Sequence, residues 1–400
     1  MNDISDFWKL EPQAVLKPWG LTHKEAFNNT GIRVGLGELW LASAQTGEGN
    51  FASNIAGSQF KKNLAELLIR AADAGEKTFK EFVGKTPYAM MKDNPHRGKT
   101  EAWYVRKAQG RVGFASGPRT QKQLEDLREL LTGPGLSAEI ENWSEEICEL
   151  FGLVESVSPG DVFFVPAGTL HTMYGIGENS TLIIDEIQQG YGGSPLPTLS
   201  KILLVQNSLL SVQVHPDDET VRRTATGEMS ISQDLEANPT VRLYDFGRRP
   251  GEYPELGFRL TTTERGLRKV EPLEVATENG AKMKMLVACE EFVKSELTID
   301  GGEVELSPVY DSYRIVHCVE GACTLGADGK NCDLGQGETV FVPAALEANL
   351  RISSKCGCRI FDDCVPQLGK LKECLNGYGA SREDLRGLVD PPRAETSFGE

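Results

Sequence analysis

SPGDVFFVPAGTLH, residues 158–171, and GQGETVFVPAALEA, residues 335–348, decide the architecture. Each has a glycine and an acid, a short apolar run, and then Val-Pro-Ala. Pro166 and Pro343 align at a spacing of 177 residues. An apolar run of this length, opened by a glycine turn and closed by proline, reads as a buried strand. The repetition predicts two domains of one barrel type.

Outward from these two copies the same texture recurs. EAWYVRKAQGRVGFA (101–115) reads as strand, turn and strand, and TLIIDEI (181–187) and LLSVQVH (209–215) as strands. Tyr313–Val319, Gly321–Leu325 and Thr339–Val342 are expected strands divided by glycine turns. Residues 12–60 read as short strands and loops, residues 189–197 as a loop, and residues 217–238 as helix and loop. TLSKILLVQ (198–206) fits a buried strand or a short helix equally well.

Two stretches change period. Leu64, Leu67, Leu68, Ala71 and Ala72, then Phe79, Phe82 and Val83, predict helix within 60–92. Leu124, Leu127, Leu130 and Leu131 predict another within 120–152. A Gly-Pro-Gly break at 133–135 separates it from a further helix carrying Ile140, Trp143, Ile147 and Leu150.

The chain has 400 residues, 25% of them charged, which suits a globular protein of two domains. A net charge of −16 argues against nucleic acid and anionic membranes as partners. An anionic small molecule would need a local cationic site against that field. The N-terminus lacks the basic start and apolar core of a secretion signal, and no window approaches the roughly 18 apolar residues of a membrane span. A cytoplasmic location is expected. Nine cysteines, eight of them between Cys289 and Cys374, are expected as free thiols. Cys356 and Cys358 form a C-x-C pair, not the C-x-x-C of a structural zinc site.

Of five histidines, His171 and His215 lie in pointed contexts. Gln213 and His215, two apart on an expected strand, face the same side, and so do Lys99 and Glu101. Two imidazoles, a carboxylate and an amide oxygen are able to close around one divalent metal, for which zinc, iron, manganese or cobalt suits the mixed N/O set. Taken singly, each has a plainer reading: a satisfied strand histidine, a solvated Lys–Glu pair, a polar strand glutamine, and a helix start at Asp217 and Asp218.

Taken together, QVHPDD (213–218), GKTEAWY (98–104), VPAGTLH (165–171), DEIQQ (185–189) and YDFGR (244–248) resemble the phosphomannose isomerases. KPWG (17–20) and GELWLAS (37–43) look like that family's N-terminal strands, and the resemblance covers most of residues 15–365. It implies a mainly-β fold of two cupin-like jelly-roll barrels with helical insertions at about 60–92 and 120–152. The expected organisation is a catalytic domain over 1–285, a degenerate second barrel over 286–368, and a C-terminal tail over 369–400. The second barrel has Ala348 where the first has His171, with Glu347 beside it, and so is expected to be structural.

The resemblance further implies a single metal, expected as zinc, held by Glu101, His171, Gln213 and His215. It implies Lys99 as a catalytic or substrate-binding group. Arg248 is the expected active-site arginine, with Arg249 adjacent. The implied reaction interconverts mannose 6-phosphate and fructose 6-phosphate, an aldose–ketose isomerisation of a small sugar phosphate. That chemistry moves a proton between C1 and C2 and needs positive charge at the developing oxyanion; the C1/C2 base is not assigned. One departure stands out. The family places Gln-x-His before Lys-x-Glu and the Pro-Ala-Gly histidine, whereas here residues 196–218 follow both. The move is tolerable if that strand fills its old slot, because sheet pairing depends on position in space. Two other readings remain: an Fe(II) cupin oxygenase with two histidines and a carboxylate, and a non-catalytic sugar-binding or regulatory cupin.

Overall fold

The computed structural model describes residues 6–27, 33–44, 51–54, 62–133, 157–190, 194, 196–245, 253–264, 266–276, 281–306 and 310–388. These residues form a mainly-β structure of two antiparallel sheets, of eleven and twelve strands, each curled into a cupin-like barrel. In the first, the neighbours run Arg268–Val270, Val162–Val165, Glu101–Ser116, His171–Gln189, Thr198–Gln206, Arg33–Ala42 and Gln13–Lys17. The second runs Leu273–Ala276, Lys282–Ala288, Val293–Ile299, Cys358–Cys364, Arg314–Ala327, Thr339–Val342 and then Trp8–Leu10.

Strand parity divides the first barrel's residues between two cores. Trp103 and Val105 pack inside that barrel with Phe114, Phe163, Met173 and Ile184. Ala102 and Tyr104 point the other way, into a core shared with Met285, Val287, Phe292 and Phe361 of the second sheet. The ambiguous TLSKILLVQ stretch is the strand Thr198–Gln206, paired on one side with His171–Gln189 and on the other with Arg33–Ala42. A central strand covered on both faces reads as a continuous apolar run, so its period is hidden.

The expected insertion at 60–92 holds three helices, Leu64–Asp73, Glu76–Val83 and Lys85–Asp93. Asn63 caps the first by accepting from the Ala65 amide at 2.9 Å. In the second insertion Gln121–Thr132 is helical, capped by Thr120. The further helix expected over Ile140–Leu150 lies outside the described residues.

Two boundaries differ from the sequence expectation. The division expected at residue 285 falls inside the second sheet, which begins at Leu273 and also takes in Trp8–Leu10, paired Trp8 to Phe341. The added N-terminal strand covers what would otherwise be an open edge beside Thr339–Val342. Residues expected as a polar tail from 369 instead supply two helices, Leu368–Gly377 and Arg382–Leu388. Their Leu371, Leu375, Leu385 and Leu388 are buried in the shared core. Four apolar residues at helical spacing outweigh the polar average of the segment.

The repeat holds in register. Glu101 pairs with Val165 in the first barrel, and Arg314 pairs with Val342 in the second. These two valines precede the repeated prolines, so Arg314 holds the place in its barrel that Glu101 holds in the other. The buried Arg314 guanidinium pairs with Asp362 and, at 3.3 Å, with Glu347.

Candidate metal centre and active site

The site is assembled by hydrogen bonds between segments far apart in sequence. Asp217 caps the helix Asp218–Ala225 by accepting from the Thr220 amide at 2.8 Å. Asp218 accepts from the Gly98 amide at 2.7 Å and from Gln189 Nε2 at 3.0 Å. The Lys99 amide donates to Pro216 O, and the Gly168 amide to His215 O at 2.7 Å. QVHPDD is thus tied to GKTEAWY, DEIQQ and VPAGTLH. Gly98 is required by the approach, because a Cβ there would lie 2.3 Å from Pro216 O.

The segment carrying Gln213 and His215 lies beside the strand that begins at His171. Val212–Val214 pairs with Val241–Tyr244 on one side, and on the other Gln213 lies opposite His171. Glu101, His171 and His215 are all buried, and one ligand atom from each lies within 4.8 Å of the other two. His215 Nε2 is 3.2 Å and His171 Nε2 is 3.7 Å from the Glu101 carboxylate.

The donor set fits a divalent cation. His171 Nδ1 donates to Thr169 O at 2.9 Å and His215 Nδ1 to Pro239 O at 3.0 Å. A protonated Nδ1 leaves a lone pair on each Nε2, and both Nε2 atoms face Glu101. The Gln213 amide bridges Ser211 Oγ at 3.1 Å and His171 Nε2 at 3.2 Å. A half-turn of that amide turns its oxygen toward the cluster and keeps a hydrogen bond to the Ser211 hydroxyl, which then accepts. Among the described residues no other group of three His, Cys, Asp or Glu side chains is so disposed.

Electrostatics favour the same arrangement. Burial would raise the Glu101 carboxyl, but the adjacent Lys99 ammonium is the largest opposing influence and the group is held well below the ordinary range. Burial, aided by Lys99, pushes His215 down to about 3, and burial also lowers His171. Both imidazoles are therefore neutral, the form that ligates a metal. Lys99 is ion-paired with Glu101 and lies 3.3 Å from His215 Nε2.

Beside the cluster is a cavity of about 140 Å³. Its walls include Lys99, Glu186, Lys201, Gln213 and Arg242, with Lys17 and Glu38 on the strands at its far side. Lys201 pairs with Glu186 at 3.1 Å, and Lys17 with Glu38 at 3.0 Å. Burial and the nearby Glu101 charge raise the Glu186 carboxyl to about 7, against the pull of Lys201. Lys201 is raised in spite of its burial by Glu186, Glu38 and Glu101. Glu186, Lys201 and Arg242 were not singled out in the sequence. Glu186 sits within DEIQQ, and its parity with Gln188, also in the wall, was the available signal. The arginine expected at Arg248, with Arg249, lies in residues 246–252, outside the described residues. Arg242, paired with Gln213 across the strands, is the arginine lining the cavity.

The barrel thus carries a buried Glu101–His171–His215 cluster that could hold a metal ion, and Glu101 and His171 face a polar cavity. No family model matches the chain. It is 26% identical over 197 residues to GmuF, the probable mannose-6-phosphate isomerase of Bacillus subtilis (strain 168); the match covers 45% of this chain and only 57% of that relative. The crystal structure of the mannose 6-phosphate isomerase from Bacillus subtilis superposes with a TM-score of 0.50 at 18% identity, over 90% of this chain and 99% of that one. A point mutant of phosphomannose isomerase from Salmonella typhimurium gives a TM-score of 0.49 at 12% identity, over 90% of this chain and 100% of that one. The chain has the fold of that mannose 6-phosphate isomerase, in agreement with the resemblance read from its sequence.

Proposed function

We propose that this chain is a zinc-dependent isomerase interconverting mannose 6-phosphate and fructose 6-phosphate. The observation that supports the proposal is one cavity lined by Glu101 and His171 of the cluster and, on the strands beside Glu101, by the ion pair Glu186–Lys201. Glu101, His171, Gln213 and His215 would hold one metal. When bound, it polarises a substrate oxygen and offsets developing negative charge.

The remaining steps belong to the chain's own groups. The Lys99 ammonium, beside the metal ligands, donates a proton to the ring oxygen as the sugar opens. Glu186, with its carboxyl near neutrality, takes the proton from C2 and returns it to C1; Lys201 orients it. Arg242 and Lys201 supply positive charge for the enediolate and the phosphate. Arg248 is the further arginine that the YDFGR motif points to for this role. Catalysis is assigned to the first barrel and a supporting role to the second. The reaction needs only the small sugar phosphate, and a cytoplasmic setting suits that substrate.

A coupled assay of metal-replete protein with mannose 6-phosphate tests this. Fructose 6-phosphate should appear, cease with a chelator and return with zinc. Sugar-phosphate binding without turnover would favour a non-catalytic cupin, and oxygen uptake with Fe(II) would favour an oxygenase; either result would overturn the proposal.

A further inference from the structure

The strand Thr198–Gln206 presents a different partner on each face. Its odd-numbered residues Leu199, Lys201 and Leu203 line the cavity. Thr198 and Ser200, of the other parity, meet the second barrel. Thr198 Oγ1 shares a hydrogen bond with the Tyr313 hydroxyl, and Ser200 Oγ donates to Asp363 Oδ2 at 2.7 Å. All four residues are buried. Ser200 lies opposite Ile187, which belongs to the core shared by the two sheets.

Asp363 is itself held from several sides. It sits on Cys358–Cys364, a strand paired along both edges, opposite Lys294 on one and Ile315 on the other. Lys294 Nζ donates to both carboxylate oxygens, at 3.0 and 3.1 Å, and stands 4.5 Å from the centre of the Phe361 ring. A buried ion pair of this kind adds little stability over apolar residues of the same shape, so stability alone does not account for it. What the pair does offer is a rigid, charged acceptor for the Ser200 hydroxyl.

The attachment lies beside a fault in the ladder. Between Ser200 and Lys201 the register against Arg33–Ala42 slips by one residue: Ser200 is opposite Ala42, and Lys201 is opposite Trp40. A slip of this kind disrupts the pairing locally and re-aims the side chains around it. On the other edge the ladder to His171–Gln189 continues, with Lys201 opposite Glu186. We propose, on the isomerase reading of the cavity, that Asp363 of the second barrel is a positioning residue for the Lys201–Glu186 pair, acting through Ser200. Its hydrogen bond holds the strand where pairing along one edge lapses. That fixes the point from which the Lys201 ammonium reaches Glu186, at 3.1 Å. The second barrel then acts on the reaction without touching the substrate.

The test measures kcat/KM of the metal-replete full chain for mannose 6-phosphate, well below the thermal midpoint of every variant and with zinc content recorded. Ser200→Ala removes the donor. Asp363→Leu combined with Lys294→Met removes the acceptor and leaves no unpaired charge. Each should lower kcat/KM by roughly 10- to 100-fold, the scale of a small misplacement of a catalytic group. The triple variant should be no worse than the poorer of the two, because both changes cut one link. Asp363→Asn combined with Lys294→Met keeps an oxygen for Ser200 and should stay within about two-fold of wild type. Additive losses in the triple variant, or equal losses with Asn and Leu at position 363, would overturn the proposal. If the Asp363 variants fail to fold, Ser200→Ala against Ser200→Thr decides: activity should fall in the first and return with the hydroxyl in the second. An inactive wild type would overturn the isomerase reading itself, whereas an active wild type matched by Ser200→Ala overturns only the role of Asp363.

Discussion

Gln213 lies directly opposite His171 across an antiparallel strand pair, although 42 residues separate them in the chain. The QVHPDD segment therefore joins the cluster by lateral pairing. The His215 imidazole, 3.2 Å from Glu101, is well inside the separation a shared metal allows.

His171→Ala should strip most of the metal, since it removes an inward lone pair from a buried three-residue cluster. His317→Ala should not, because that imidazole is engaged with Thr339 Oγ1 at 2.9 Å in the second barrel. Elemental analysis of purified variants gives the answer; full occupancy in His171→Ala would remove it from the ligand set.

Lys99→Met should lower turnover of mannose 6-phosphate by roughly 10²–10⁴, the usual cost of a positioned proton donor. Its metal content should stay near wild type, because an ammonium has no lone pair to offer. Metal-free Lys99→Met should unfold more readily than metal-free wild type, since it leaves Glu101 buried without its counter-charge. Unimpaired turnover would place Lys99 outside the chemistry.

Glu186→Gln keeps the size of the side chain and removes the proton acceptor. A fall in kcat of about 10²-fold or more, with zinc retained and KM little changed, is expected. A variant that loses KM alone would mark Glu186 as a binding group.

His317 sets an acid limit on the fold. Burial holds it at about 4 in the native protein, against an ordinary value of 6.5. Below about pH 6.5 the unfolded chain takes up a proton that the folded one refuses, so stability falls as the pH drops toward 4 and levels off below. At pH 5 the loss is about 2 kcal/mol. Urea midpoints at pH 7 and pH 5 should show this for wild type, and His317→Gln should flatten the difference.

Arg314→Met should destabilise the protein by roughly 3–5 kcal/mol, because Asp362 and Glu347 lose the cation between them. Zinc content should be unaffected. Denaturation followed alongside metal analysis separates the two, and parallel loss of zinc would show that the barrels are coupled through this cluster.

The cluster was legible because its residues sit at ends of strands, where glycine and proline mark the positions: Gly98 before Lys99, Pro166 before His171, and Pro216 after His215. The neighbouring charged groups of the cavity were not. Lys201 is embedded in an apolar run, and only the register of its strand against His171–Gln189 shows that its ammonium meets Glu186. Arg242 depends on the pairing of Val241–Tyr244 with the strand Val212–Val214, which no local pattern shows. Trp8–Leu10 closes a sheet more than 300 residues downstream, a partnership that no local pattern carries. The helices after residue 368 are too short for their four leucines to stand out from polar neighbours.

Arg314 stands where the other barrel has Glu101, and the exchange reverses the sign of the group at the heart of the fold. One barrel sets a buried carboxylate beside two imidazoles and the Lys99 ammonium, a grouping that could also admit a cation from the medium. The other is born with its cation covalently attached. If the first holds the proposed metal, its state follows the metal supply. The second is indifferent to the metal supply. A duplicated scaffold has been divided into a half whose integrity depends on the environment and a half whose integrity is encoded.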